Sequence, residues 1–254
     1  MIANATITAF GVAAIITLLV PIVILIALAI KRKISGLPLL LGAVAFFVSQ
    51  IVLRMPILSA LSGQEWYIAL TKNFILLALF LSLSAGLFEE TARLSGALLL
   101  KKRRSYKDII SFGLGHAFCE VIVLIGVSQI SNLVLCMVIN SGSGTLPTET
   151  LEIAIVQLTA TNPAHVYWGL LERFSAVIFH LFATMLVFKG VIEKKWGYCV
   201  LAVVAHTTFN FAGVVLVKYA GIVVSESVLL VMAVAAGFYV IKQHKNQVAS
   251  TQCK

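Results

Sequence analysis

The chain has 254 residues, 60% of them hydrophobic and only 11% charged, with a mean hydropathy of +1.03. A soluble domain is nearer half apolar and about a quarter charged, so this balance excludes an ordinary soluble fold. The net charge of +9 sits in short clusters beside apolar runs, the distribution that orients membrane proteins, and no nucleic-acid partner is expected.

The apolar runs last roughly 17 to 28 residues, enough to cross a hydrocarbon core of about 30 Å. They are continuous rather than alternating, which argues for helices and against a β-barrel. In chain order, the first span is expected from Thr6 to Ile30, ending at Lys31-Arg32-Lys33. The chain start carries no basic n-region, so this segment is taken as an uncleaved span. The second runs from Leu37 to Leu53 and is followed by a loop carrying Glu65, Trp66 and Tyr67, aromatics suited to an interface. The third runs from Phe74 to Leu100, ahead of Lys101-Lys102-Arg103-Arg104, and the fourth from Ile109 to Val138.

A longer connection from Asn140 to Pro163 follows, with Ser-Gly-Ser-Gly at 141–144 and Pro147. Within it, Thr150 to Thr159 suits a short interfacial or re-entrant helix. Asn162-Pro163 reads as an N-cap with proline in the first helical position, opening a fifth span to Phe188. The sixth runs from Trp196 to Val217 and the seventh from Gly221 to Ile241. The expected fold is therefore all-α: a polytopic transmembrane helical bundle of about seven spans, with residues 1–254 as a single integral membrane domain. Cys119, Cys136, Cys199 and Cys253 form no Cys-x-x-Cys pair and read as small core residues.

Seven spans place alternate loops on opposite sides. One side collects Lys31 to Lys33, the basic run from Lys101 to Lys107, Lys189, Lys194, Lys195 and the tail residues Lys242, Lys245 and Lys254. The other collects Arg54, Lys72 and Lys218. This asymmetry predicts an external N-terminus and a cytoplasmic C-terminus.

An ionisable group inside a span is expensive and marks a functional-site candidate. At about 1.5 Å per residue, Glu89 and Glu90 lie roughly 16 Å from the basic edge, His116 and His180 roughly 14 Å, and His206 roughly 16 Å. Four spans thus bring such groups to one level. Spacing adds partners on shared helix faces: Arg93 is i+4 from Glu89 and i+3 from Glu90, Glu120 is i+4 from His116, and Asn210 is i+4 from His206. Carboxylate, imidazole and amide groups at one depth can activate a water and stabilise an oxyanion. Taken singly, each has a plainer reading: Glu90–Arg93 as a helix clasp, His206–Asn210 as interhelical hydrogen bonding, His180 as a satisfied core histidine, and Glu172–Arg173 as a structural pair.

Phe88-Glu89-Glu90-Thr91-Ala92-Arg93, then Phe112-x-x-x-His116, then His206-x-x-x-Asn210 resembles the three-motif pattern of the CAAX-protease and bacteriocin-processing superfamily of intramembrane endopeptidases. Gly113-Leu114-Gly115-His116 with Glu120, and Glu172-Arg173 ahead of His180, resemble its bacterial YhfC-like branch. The resemblance covers residues 74–215. It implies Glu89 and His116 as a water-activating pair, Glu90 as the supporting carboxylate, Arg93 as the group orienting the glutamates, and His206 with Asn210 on the oxyanion side. It also implies a bacterial plasma membrane location. The superfamily pattern has three residues between the glutamate pair and the arginine, whereas two stand here, which turns Arg93 by about 100°. Glu120, Glu172 and His180 have no place in the three motifs, and their roles stay open.

Three functions compete. The favoured one is a glutamic-type, metal-independent intramembrane endopeptidase with no cofactor, acting on a peptide or membrane-protein substrate within the lipid bilayer. The second is a zinc enzyme with His116, His180 and His206 as ligands and Glu89 or Glu120 as base, although no His-Glu-x-x-His motif is present. The third is a proton-coupled transporter or membrane scaffold, for which repeated halves and broken helices would be expected. For the protease, a cavity is expected to open to the cytoplasm between spans three and six, with Glu89, His116 and His206 facing it.

Overall fold

A computed structural model describes residues 1–142 and 148–252; Ser143, Gly144, Pro147, Cys253 and Lys254, named above, lie outside the described residues. Nine helices follow one another among the described residues: α1 (Asn4–Ile30), α2 (Gly36–Leu61), α3 (Glu65–Thr71), α4 (Phe74–Leu99), α5 (Tyr106–Ser141), α6 (Thr148–Ala160), α7 (Pro163–Glu193), α8 (Gly197–Ala220) and α9 (Ile222–Gln252). Seven of them, all but the short α3 and α6, are long and apolar enough to cross a membrane. The protein is an all-α polytopic membrane protein, as its composition predicts. Trp66 and Tyr67 sit in the short helix α3 rather than in a loop, where their rings pack edge-on against Phe80 at 6.0 and 5.9 Å.

Local chemistry sets the helix ends. The Asn73 side chain accepts from the Leu76 amide at 3.1 Å, which opens α4. Ser105 and Asp108 form a reciprocal capping box at the start of α5. Asn162 accepts from the Ala164 amide at 2.9 Å, with Pro163 in the first turn of α7. Gly142 closes α5 in the left-handed region, with φ of 69°.

Two long helices are not uniformly α. Residues Phe47–Arg54 of α2 and Glu120–Gly126 of α5 wind as π-helix. Such a turn holds more residues than an α-turn and changes which side chains face inward. Gln50, Arg54, Glu120 and Leu124, all from these two stretches, line the same internal cavity. Arg54 is held there by donating to Gln50 Oε1 (3.0 Å), Ser84 Oγ (3.0 Å) and the Leu81 carbonyl (2.8 Å). An arginine inside an apolar span needs such partners.

The central helix is α7: 67% of its apolar stretch is buried, against 33% or less in the other six spans. It packs on α9 and α5, while α2 lies along α5 and α4 along α8. Small residues permit the closest approach. A Cβ on Gly115 would fall 1.9 Å from the Leu39 carbonyl oxygen, and one on Gly42 2.0 Å from that of Phe112. The α2 and α5 backbones therefore touch, as membrane helices do at small-residue contacts. The half of the bundle nearest the basic clusters is filled by Ala97, Leu100, Ile109, Phe112, Leu186 and Phe188. Ile15, Val23, Leu40, Val134, Val200 and Val231 are exposed on the outside, where lipid would cover them.

Candidate metal centre

Four helices deliver the ionisable groups to one buried cluster. Glu89, Glu90 and Arg93 come from α4, His116 and Glu120 from α5, His180 from α7 and His206 from α8. Glu89, Glu90, Arg93, His116, His180 and His206 are each 5% exposed or less. Depth counting from the sequence placed them together, and the structure bears that out.

The contacts fix a proton arrangement. Arg93 pairs with Glu90 and reaches Glu89 Oε2 at 3.4 Å. Its Nη2 also lies 2.6 Å from His180 Nδ1. A guanidinium only donates, so His180 Nδ1 accepts and the ring proton sits on Nε2. That Nε2 donates to Glu120 Oε2 at 2.6 Å. Arg173 donates to the other oxygen of Glu120 at 2.9 Å and pairs with Glu172. On His206, Nδ1 donates to Glu90 Oε1 at 2.6 Å, leaving the Nε2 lone pair on the Glu89 side, 3.8 Å from Oε1. His116 Nε2 donates to Glu89 Oε2 at 2.9 Å, and its Nδ1 has no partner among the described residues.

Glu89, His180 and His206 each offer one ligand atom within 4.8 Å of the others. The donor set suits a divalent cation on three counts. Two imidazoles and a carboxylate are zinc ligands by type. Each histidine gives its other ring N–H to a carboxylate, Glu120 for His180 and Glu90 for His206, the backing that fixes tautomer and orientation around a metal. Finally, four carboxylates (Glu89, Glu90, Glu120, Glu172) stand against two guanidinium groups (Arg93, Arg173). When ionised they leave two negative charges, which a divalent cation would neutralise. Arg93 rests on the His180 nitrogen that belongs to the donor set, so the guanidinium has to move off Nδ1 when a cation binds there.

His116, expected as a third histidine ligand, is not in the converging set; it is hydrogen-bonded to Glu89, whose carboxylate stands with His180 and His206 instead. Glu120, whose role the motifs left open, and Arg173, read as half of a structural pair with Glu172, connect His180 to the cavity wall.

That cavity has a volume of about 530 Å³ and reaches the cluster at Glu89 and Glu120. Its direction differs from expectation. On α4 it is lined by Leu81, Ser82 and Ala85, on α8 by Asn210, Gly213 and Val217, and on α9 by Glu226 and Leu229. Every one of these lies on the side of the cluster away from the basic clusters. The basic-end half is closed by the Phe112 and Phe188 packing, whose rings meet at 5.3 Å. Of the three side chains expected to face the cavity, Glu89 does, while His116 and His206 are buried behind it. Asn210 lines the cavity one helical turn beyond His206. Glu226 was missed by the motif reading, although an acid near the start of an apolar span carries the same signal that singled out the histidines.

Residues 16–235 match the YhfC intramembrane metalloprotease family. The uncharacterized membrane protein YhfC of Bacillus subtilis (strain 168) is 26% identical over 240 residues, which cover 89% of this chain and 92% of that protein. No solved structure matches the chain. The resemblance to the YhfC-like branch is thus borne out. The metal-independent, glutamic-type enzyme without a cofactor is corrected: the family is a metalloprotease family, and Glu89, His180 and His206 converge as metal ligands would. The sequence hid this because the ligands come from three helices and share no local spacing. The match covers most of the chain and contains the whole buried donor set: this chain belongs to the YhfC intramembrane metalloprotease family.

Proposed function

We propose that this chain is a zinc-dependent intramembrane endopeptidase, which hydrolyses a peptide bond of a peptide or membrane-protein substrate at the buried cluster. The observation that carries the reading is the convergence of Glu89, His180 and His206 from α4, α7 and α8, with a carboxylate behind each histidine. When bound, zinc supplies a lowered pKa for water and polarisation of the scissile carbonyl. Glu89, His180 and His206 would hold it. Glu120, backed by Arg173, and Glu90 keep the two histidines in the ligating tautomer. His116 holds one oxygen of Glu89 in place. A proton released at the site could pass to His116 Nδ1 or Glu90 Oε2, buried acceptors with no partner among the described residues. Asn210, on the cavity wall, would donate to the substrate carbonyl.

The basic-residue asymmetry supports an external N-terminus and a cytoplasmic C-terminus. In that orientation the cavity opens toward the external side. The test is proteolysis of a transmembrane peptide library by the purified, reconstituted chain. A strong chelator is expected to abolish cleavage and added zinc to restore it. Undiminished cleavage by demetallated protein would refute the reading.

A further inference from the structure

The cavity carries a carboxylate that the reaction does not use. Glu226, on α9, lines its wall, is 2% exposed, and its Oε2 has no hydrogen-bond partner among the described residues. Glu172 lines the same wall, but its carboxylate is already paired with Arg173. Arg54, in the same lining, is turned to Gln50, Ser84 and the Leu81 carbonyl rather than to Glu226. At Glu226 the cavity therefore offers an incoming chain one desolvated carboxylate oxygen that accepts from no group among the described residues. A buried carboxylate in that state is strongly favoured by a cationic donor and disfavoured without one.

Its distance from the metal centre follows from the helix packing. The neighbouring Ser225 donates its hydroxyl to the Gly213 carbonyl at 3.1 Å, so Glu226 stands near the level of Gly213. Gly213 lies seven residues along α8 from His206, or about 10 Å at the helical rise. An extended peptide covers that span in about three residues.

We propose that Glu226 is a specificity subsite that takes a lysine or arginine side chain of the substrate about three residues from the scissile bond. The proposal rests on the endopeptidase reading and adds the substrate class: segments with a basic residue on the cavity side of the cleaved bond. Glu226 is not a catalytic residue, because the cation it binds stands apart from the reacting atoms.

The experiment uses the full chain reconstituted in lipid nanodiscs and a set of fluorescent transmembrane peptides that differ only in carrying lysine, glutamate or methionine at each position in turn. Products are sequenced by mass spectrometry, and binding is read separately by anisotropy. Wild-type protein is expected to cleave at least tenfold faster, in kcat/KM, when lysine stands about three residues from the cut. Glu226→Gln should lose that preference, cutting the lysine and methionine peptides at similar rates. Glu226→Lys should move the preference to an acidic residue. A lysine preference that survives in Glu226→Gln, or no preference in the wild type, overturns the subsite. Should no peptide be cut, the endopeptidase reading has failed and binding decides the subsite alone. Tighter binding of the lysine peptide that is lost in Glu226→Gln upholds it, and equal binding of the lysine and methionine peptides overturns it.

Discussion

Glu120→Gln is the sharpest probe of how the metal centre is held. In the structure the two Glu120 oxygens accept from two obligate donors, His180 Nε2 at 2.6 Å and Arg173 at 2.9 Å. Only a carboxylate accepts from both. A glutamine must turn its NH₂ toward one of them, so one hydrogen bond becomes a donor–donor contact whichever way the amide is set. If it faces His180, the tautomer with Nδ1 free is no longer favoured; if it faces Arg173, a buried cation loses its partner. A hydrogen bond to a charged group contributes about 1.5–3 kcal/mol. At about 1.4 kcal/mol per tenfold, zinc affinity should fall roughly 10- to 100-fold, in line with other losses of a carboxylate behind a metal-bound histidine. The assay is competition for zinc against a chromophoric chelator, with purified protein in detergent and helicity checked by circular dichroism. Wild-type affinity in a folded Glu120→Gln protein would show that Glu120 does not support a ligand, and the assignment of His180 would fall with it.

Arg93→Gln should act with the opposite sign. Its guanidinium bonds the His180 nitrogen that the cation needs, so removing it should tighten zinc binding about tenfold, given about 1.5 kcal/mol for the lost competitor. The same change leaves Glu90 without its ion pair and should lower the melting temperature of the zinc-free protein; weaker zinc binding would make Arg93 an orienting group instead. Gly115→Ala puts a methyl 1.9 Å from the Leu39 carbonyl, with backbone on both sides, and should cost at least about 1–3 kcal/mol; thermal unfolding in detergent reads this, and an unchanged transition would refute the α2–α5 contact. Reporter fusions at the two termini and near Ser143 should place the N-terminus and residue 143 outside and the C-terminus in the cytoplasm, and a cytoplasmic signal at residue 143 would sink the proposed orientation.

The seven spans were legible because apolar length and basic flanks are properties of the chain itself, and the Asn162-Pro163 start of α7 was legible because an N-cap acts within one turn. Depth along each helix was also legible, since the rise per residue is fixed, and it brought Glu89, His116, His180 and His206 to one level. Rotation about each helix axis was not. Whether His116 or Glu89 joins His180 and His206 depends on the turn of α4 and α5, which packing decides. The i,i+4 spacing put Glu120 on the face of His116, but its bond to His180 depends on how α5 and α7 pack, and the two π-helical stretches change the rotation beyond it with no local sequence mark. The direction of the cavity escaped for a related reason: it depends on which half of the bundle Phe112 and Phe188 fill, a matter of which helices are neighbours.

The most direct test of the account is the metal content of the purified chain, measured by elemental analysis together with zinc X-ray absorption. About one zinc per chain with nitrogen and oxygen neighbours is expected, lost in His180→Ala and in His206→Ala but kept in Asn210→Ala. A folded protein that binds no divalent metal, or one whose zinc survives both histidine substitutions, would contradict it.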